Sequence, residues 1–234
     1  MLATLLPVTE SGAQADYAAE RARMVAEIAL MARQTAFETG LPVFSAQVMR
    51  AMGKVERHRL VPPEQAVFAY RNHPLPIGKR QTISQPYIVA LSTELIDAQP
   101  HQVALDIGTG SGYQAAVLAE LVKQVYSVEI IDSLGLSARE RLAALGYGNV
   151  EIRIGDGRQG WAQKGPFDAI VVSAAAPRVP PALLEQLKRG GKMVIPVGEE
   201  SGPQELLLIE KRADGSVATK SVLPVRFVPL VEGK

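Results

Sequence analysis

With 234 residues, the chain is long enough to bury a large core in one domain plus an extension. Its 25 Lys and Arg against 24 Asp and Glu leave a net charge of +1, too even to build the basic field that holds nucleic acid. It has no cysteine, hence no disulfide, thiol nucleophile or thiolate metal site, and its histidines (His58, His73 and His101) lack ligand spacing, so no metal is expected.

Leu2 to Val8 is mildly apolar, and Ala13-Gln14-Ala15 has the small-residue look of a cleavage site. No Lys or Arg precedes that run and Pro7 interrupts it. The segment therefore reads as a disordered leader on a cytoplasmic protein, with a periplasmic precursor as the alternative. No apolar run approaches the ~20 residues that span a bilayer, so no membrane partner is expected. Apolar residues three to four apart, Met24, Ile28 and Met31 with Val25 and Ala29, predict a helix over Tyr17–Thr39, ended by Gly40 and Pro42. Residues 1–40 are read as leader and helical extension, and 41–234 as the main domain.

A second helix is expected over Ser45–Val55 with Ser45 as its N-cap. Val61-Pro62-Pro63 breaks the chain, and Asn72 to Gly78 reads as a loop. Pro86 suits the first turn of a helix reaching Ile96, with Ile88, Leu91 and Leu95 as its buried stripe. Strands and helices then alternate. Strands are expected at Val103–Ile107, Val125–Glu129, Val150–Ile154, Ala169–Ser173 and Lys192–Pro196, and helices at Tyr113–Leu121, Ser137–Leu145 and Pro181–Leu187. Near-continuous apolar strands in such an alternation argue a mostly parallel, doubly wound α/β sheet. Glu205–Lys211 and Ser221–Val231 lack an intervening helix and predict an antiparallel pair at its end.

The first of these strands runs into Gly108-Thr109-Gly110-Ser111-Gly112. A dinucleotide fingerprint would place its third glycine at 113, where this chain has Tyr113. G-x-G-x-G after a strand ending in an acid instead suits S-adenosylmethionine, which has no pyrophosphate to seat on a helix N-terminus. Ligands of such sheets lie at the carboxyl ends of the strands, and three consecutive strand ends carry an acid. Asp106 could meet the ammonium of the methionine moiety, directly or through water. Glu129, about 20 residues beyond Gly108, stands at the offset where a carboxylate accepts from ribose hydroxyls. Asp156 could accept the adenine amino proton.

A dehydrogenase is disfavoured by the same turn and by the lack of a separate substrate domain. No Asn/Asp-Pro-Pro-Tyr tetrapeptide presents an amine; Ser173-Ala174-Ala175-Ala176-Pro177 follows the fourth strand instead, a smooth wall suited to a nucleophile already anionic. A carboxylate has a reference pKa of about 4, so such a nucleophile needs no base, only alignment. A methyltransferase for another small carboxylate or amine, and a non-catalytic module binding unfolded clients, are the competing readings.

From Met49 to Leu230 the chain resembles the protein-L-isoaspartate O-methyltransferase family. The resemblance rests on Arg57 to Pro63, Leu75-Pro76-Ile77-Gly78, Gln81 to Tyr87, Asp106 to Tyr113, Gly155-Asp156-Gly157, Pro166-Phe167-Asp168, Ala174 to Pro177, Ile195 to Gly198 and Arg226 to Leu230. It implies a class I, Rossmann-like S-adenosylmethionine methyltransferase fold over 41–234. It also implies methyl transfer to isoaspartyl proteins and peptides, with S-adenosylhomocysteine as product and a succinimide route to repair, by a monomer. Ser84 matches the family's active-site serine. Gln81, Thr82, Ile83, Asp106, Gly108, Thr109, Gly110, Gly112, Glu129, Asp156 and Gly157 match its cofactor positions. Ile83, Ser84, Ala175, Ala176, Pro177, Phe227 and Val228 are expected to meet the substrate, with the Arg226–Leu230 strand pairing to an extended peptide. Taken without the family, Ser84 could equally cap the helix at Pro86. Ile130 to Gly135 departs from the family's usual run.

Overall fold

Met24, Ile28 and Ala32 recur every fourth residue, and they are the side chains that helix α1 (Tyr17–Gln34) buries. The computed structural model describes residues 17–231, so the leader and its small-residue site lie outside the described residues. The helix expected to continue through Thr39 breaks at Thr35, whose hydroxyl donates back to the Met31 carbonyl (3.0 Å). A separate turn, α2 (Ala36–Thr39), follows and ends at Gly40 in the left-handed region. Helix α3 (Ala46–Lys54) starts as expected at Ser45, whose Oγ accepts from the Val48 N–H.

The stretch read as a loop is an antiparallel hairpin, β1 (Leu75–Gly78) with β2 (Gln81–Ile83). Pro74 and Pro76 mask the alternation that buries Leu75 and Ile77 and exposes Pro76. Two short strands with a proline on an edge are a weak sequence signal. Helix α4 (Pro86–Leu95) follows, with Pro86 in its first turn.

The main sheet comprises β3 (Val103–Ile107), β4 (Gln124–Glu129), β5 (Val150–Ile154), β6 (Phe167–Val172), β7 (Leu187–Gly198), β8 (Gln204–Lys211) and β9 (Val217–Val225), in the order β5-β4-β3-β6-β7-β8-β9. The pairs from β5 to β7 are parallel, and β8 and β9 add antiparallel. This is the mostly parallel doubly wound sheet with antiparallel C-terminal strands expected from the sequence. Helices α5 (Tyr113–Ala119), α6 (Asp132–Ala144) and α7 (Pro181–Gln186) make the crossovers. Period-two alternation in β3 sends Ala104 to a core shared with α1, α3 and α4, and Leu105 and Ile107 to one shared with Phe167, Leu183 and Met193. The Asp168 carboxylate clamps the base of the sheet, accepting from the Val103 N–H (2.8 Å) and the Lys188 ammonium (2.8 Å). Because β3 pairs with β4 on one side and β6 on the other, the crevice of an open sheet falls at their carboxyl ends.

Candidate active site

The turn after β3 is left-handed at each of its glycines, with φ of +86°, +52° and +89° at Gly108, Gly110 and Gly112, a conformation that costs a Cβ-bearing residue about 1–2 kcal/mol. Beneath it runs a buried chain of hydroxyls. Thr109 Oγ1 lies 2.5 Å from Ser127 Oγ, which donates to Asp106 Oδ2 at 2.7 Å. Asp106 Oδ1 has no hydrogen-bond partner among the described residues. Burial pushes this carboxyl up to about 7, Glu129 adding to the rise and the Ser127 bond opposing it. Asp106, expected to meet the methionine ammonium directly or through water, thus sits under the glycine turn and outside the cavity lining. Its side chain shares the face of Ala104, while the neighbouring Ile107 meets the cavity.

That cavity, enclosing about 730 Å³ of empty space with its mouth included, is lined by Gln81, Thr82, Ile83 and Ser84, the turn Gly108–Ser111, Glu129 and Gly157. Glu129 ends β4 with both oxygens committed: Oε2 accepts from the Gly110 N–H (2.7 Å) and Oε1 from the Ile131 N–H (2.9 Å). It holds the turn while facing the space beside it. Asp156 stands outside the lining. Its carboxylate accepts from the Arg158 N–H and caps a short 3-10 turn at Gly157–Gln159. Gly157 reaches the cavity, and a Cβ there would come 2.6 Å from Ile107 Cγ2. Gly112 also lies outside the lining; it starts α5, with Leu142 3.1 Å from where its Cβ would be. Among the lining residues given no role in the sequence reading, Tyr113, Ile130 and Ile131 each follow a recognised strand end or turn by one or two positions. That adjacency was the available signal.

Another residue given no role in the sequence reading is Arg57, a cation that is wholly buried. Its Nε donates to the Ala69 carbonyl (2.7 Å), and its guanidinium lies 4.6 Å from the centre of the Tyr113 ring. Burial lowers it to about 10, so it stays cationic, and burial pushes the Tyr113 phenol up to about 12.

Ser84 belongs to two spaces at once. On one side is the cavity; on the other is an open groove of about 1420 Å³ bordered by Gln85, Tyr87, Phe227 and Val228. Thr82, Ser84, Ser173 and Val228 line both and form the boundary between them. Helix α4 takes Gln85 as its N-cap without a side-chain bond, so the Ser84 hydroxyl is not spent on capping. Of the other expected substrate contacts, Ile83 is buried in the cavity wall, and Phe227 and Val228 line the groove. Ala175, Ala176 and Pro177 line neither space; the wall is Ser173 and Ala174 instead.

The reason is the tail. The strand expected over Ser221–Val231 ends at Val225, and the following residues turn inward. Ala175 N–H donates to the Val228 carbonyl (2.8 Å) and Leu230 N–H to the Ala175 carbonyl (2.7 Å). The Phe227 N–H is taken by Gln204 Oε1 (2.7 Å). The Phe227 and Leu230 N–H groups and the Val228 carbonyl are therefore already engaged within the protein, and Ala175 braces the tail, while Ala176 bonds to Pro196 and Gly198 of β7.

Comparison with known proteins gives a consistent result. The family model for protein-L-isoaspartate(D-aspartate) O-methyltransferase matches residues 35–234. Protein-L-isoaspartate O-methyltransferase 2 of Polaromonas sp. (strain JS666) is 56% identical over 207 residues, covering 88% of this chain and 98% of the relative. Protein-L-isoaspartate O-methyltransferase 1 of Cupriavidus necator is 53% identical over 230 residues, covering 98% and 89%. A Plasmodium falciparum protein described as a protein-L-isoaspartate O-methyltransferase, crystallised with S-adenosyl-L-homocysteine, superposes with a TM-score of 0.75 at 26% identity, over 90% of this chain and 98% of that one.

Proposed function

We propose, for a chain that belongs to the protein-L-isoaspartate(D-aspartate) O-methyltransferase family, that Ser84 orients the substrate carboxylate while Glu129 and the 108–112 turn hold the cofactor. The protein is an S-adenosylmethionine-dependent carboxyl methyltransferase. It methylates the free carboxylate of isoaspartyl residues in damaged proteins and peptides, and the ester initiates repair through a succinimide.

The residues present fit this cofactor. Glu129 lines the cavity with a carboxylate, Gly157 keeps the wall thin where a Cβ would meet Ile107, and Asp106 leaves a buried oxygen unpartnered beneath the turn. Bound S-adenosylmethionine supplies an electrophilic methyl on a sulfonium and departs as neutral S-adenosylhomocysteine. Glu129 is assigned to the ribose end, and Gln81, Thr82 and Ile83 close over the cavity from the hairpin. Asp106 acts from below the turn as fixed or partial negative charge.

The chain itself has little chemistry to perform. A substrate carboxylate arrives ionised at neutral pH, and no His or Lys lines either space among the described residues. Tyr113 and Tyr87, which do, are raised by burial and stay protonated. What remains is alignment, which can contribute roughly 7–11 kcal/mol toward the barrier. We read the protein further as a cytoplasmic monomer acting on protein and peptide clients, with neither nucleic acid nor membrane as partner. No helix among the described residues is long and apolar enough to cross a membrane.

The observation that carries the Ser84 assignment is its place on the boundary of cavity and groove with a hydroxyl left uncommitted. The test is labelled methyl transfer to an isoAsp peptide and to its matched Asp peptide. Label is expected on the first alone; equal labelling would refute the function. In Ser84→Ala, losing one hydrogen bond to a charged group should cost about 1.5–3 kcal/mol, roughly 10- to 150-fold in kcat, with cofactor affinity held in calorimetry.

A further inference from the structure

The groove beside Ser84 has one wall that the family match leaves out. That match begins at residue 35, yet Met31 of α1 lines the groove. Its position is fixed from both ends. Met24, Ile28 and Ala32 bury the inner face of α1, and Thr35 Oγ1 bonds the hydroxyl of Tyr87 on α4. The Met31 sulfur itself accepts from the side-chain amides of Asn72 and Gln85, and Gln85 directly follows Ser84. Ile88, Leu223, Val225 and Phe227 supply the other apolar surface of the groove, and Arg226, exposed, is its one charged lining residue.

We infer that α1 builds a specificity subsite in which Met31 receives an apolar side chain adjoining the isoaspartyl residue of the substrate. The inference rests on the reading of Ser84 as the group that holds the substrate carboxylate. From there the groove is continuous. Consecutive Cα atoms lie about 3.8 Å apart on the amino side of the isoaspartyl residue, and one methylene farther apart on the other, where the chain runs through the β-carboxyl, so on either side a neighbouring side chain enters within one residue. A methionine suits the task because its unbranched, polarisable side chain repacks around apolar groups of different shape. The subsite should therefore accept Leu, Met and Phe alike and discriminate against Ser.

Four isoAsp peptides test this, with Leu or Ser placed before or after the isoaspartyl residue, and kcat/KM measured for each. On one side the Leu:Ser ratio should be about 10 in the unaltered protein. Met31→Ser should bring that ratio toward one, Met31→Leu should keep it, and Leu30→Ser, on the exposed side of the same helix, should also keep it. Should Met31→Ser fail to fold, Met31→Gln preserves the side-chain length and should lose the ratio equally. A ratio near one on both sides, or one unmoved by Met31→Ser or Met31→Gln, overturns the subsite. Equal labelling of the matched Asp peptides would instead strike the function on which it rests, and the two failures are read from different peptides.

Discussion

A carboxyl group that water does not reach must find partners inside the protein or keep its proton. Asp106 does part of each: Ser127 donates to one oxygen, the other has no partner among the described residues, and burial carries the group from its ordinary value of 3.8 to about 7. Between those pH values the folded protein holds a proton that the unfolded chain has released. Stability is thus favoured on the acid side and declines as pH rises through the window, by on the order of 4 kcal/mol in total. Denaturant titrations between pH 4 and 7.5 should show this decline, and Asp106→Asn should flatten it; parallel curves would contradict the assignment. The same group links to function. A cationic cofactor above the turn favours the ionised carboxylate, so binding near pH 7 should release protons. Calorimetry in buffers of different ionisation enthalpy should detect the release in the unaltered protein and less of it in Asp106→Asn.

Helix α6 shows how a departure from pattern can be a packing requirement. The sequence predicts its start at Ser137, and Gly135, just before, is a poor helix former. The helix begins at Asp132, with Gly135 pressed against its surroundings. A Cβ there would lie 2.3 Å from Ile154 Cδ1 and 3.2 Å from Glu129 Cβ. Gly135→Ala should therefore lose about 1–3 kcal/mol to overpacking, partly offset by roughly 1 kcal/mol of helix propensity. It should also weaken cofactor binding by displacing Glu129, and a rise in Tm with unchanged affinity would argue against the contact.

Legibility elsewhere followed the same physics. β3 was readable to the residue because a central strand covered on both faces is almost wholly apolar, β5 because its apolar residues alternate with Glu151 and Arg153 at the sheet edge, and the glycine turn because it interrupts the apolar run of β3. The 75–83 hairpin was hidden by its prolines, Arg57 because a buried cation looks like surface in sequence, and the 226–230 tail because its partners, Ala175 and Gln204, lie far away along the chain. The bracing role of Ala175 was hidden for that reason too: small buried residues can line a site or brace one, and the tail's hydrogen bonds to Ala175 show the bracing.

At the scale of the whole molecule the question is whether α1 is an appendage or part of the cooperative unit. Its Met24, Ile28 and Ala32 belong to one core cluster with Met52, Leu91 and Ala104, reaching from the helix layer to the central strand of the sheet. At its start Tyr17 stacks on His58 with ring centroids 4.0 Å apart, and the His58 ring bonds the Tyr70 hydroxyl (2.8 Å), giving that histidine a packing role. Arg57, next to it, reaches Tyr113 in the cavity wall, so the extension and the site share one continuous set of contacts. Ile28→Ala, which hollows the α1 face of this core, should cost about 2–5 kcal/mol. In a chain of this size that is roughly 5–15 °C in Tm. Scanning calorimetry should show a single transition that moves as a whole and rises again with saturating cofactor, since ligand binding stabilises every element that unfolds with the site. An α1 that melted by itself would leave the main transition in place and add a smaller, earlier one that cofactor does not shift.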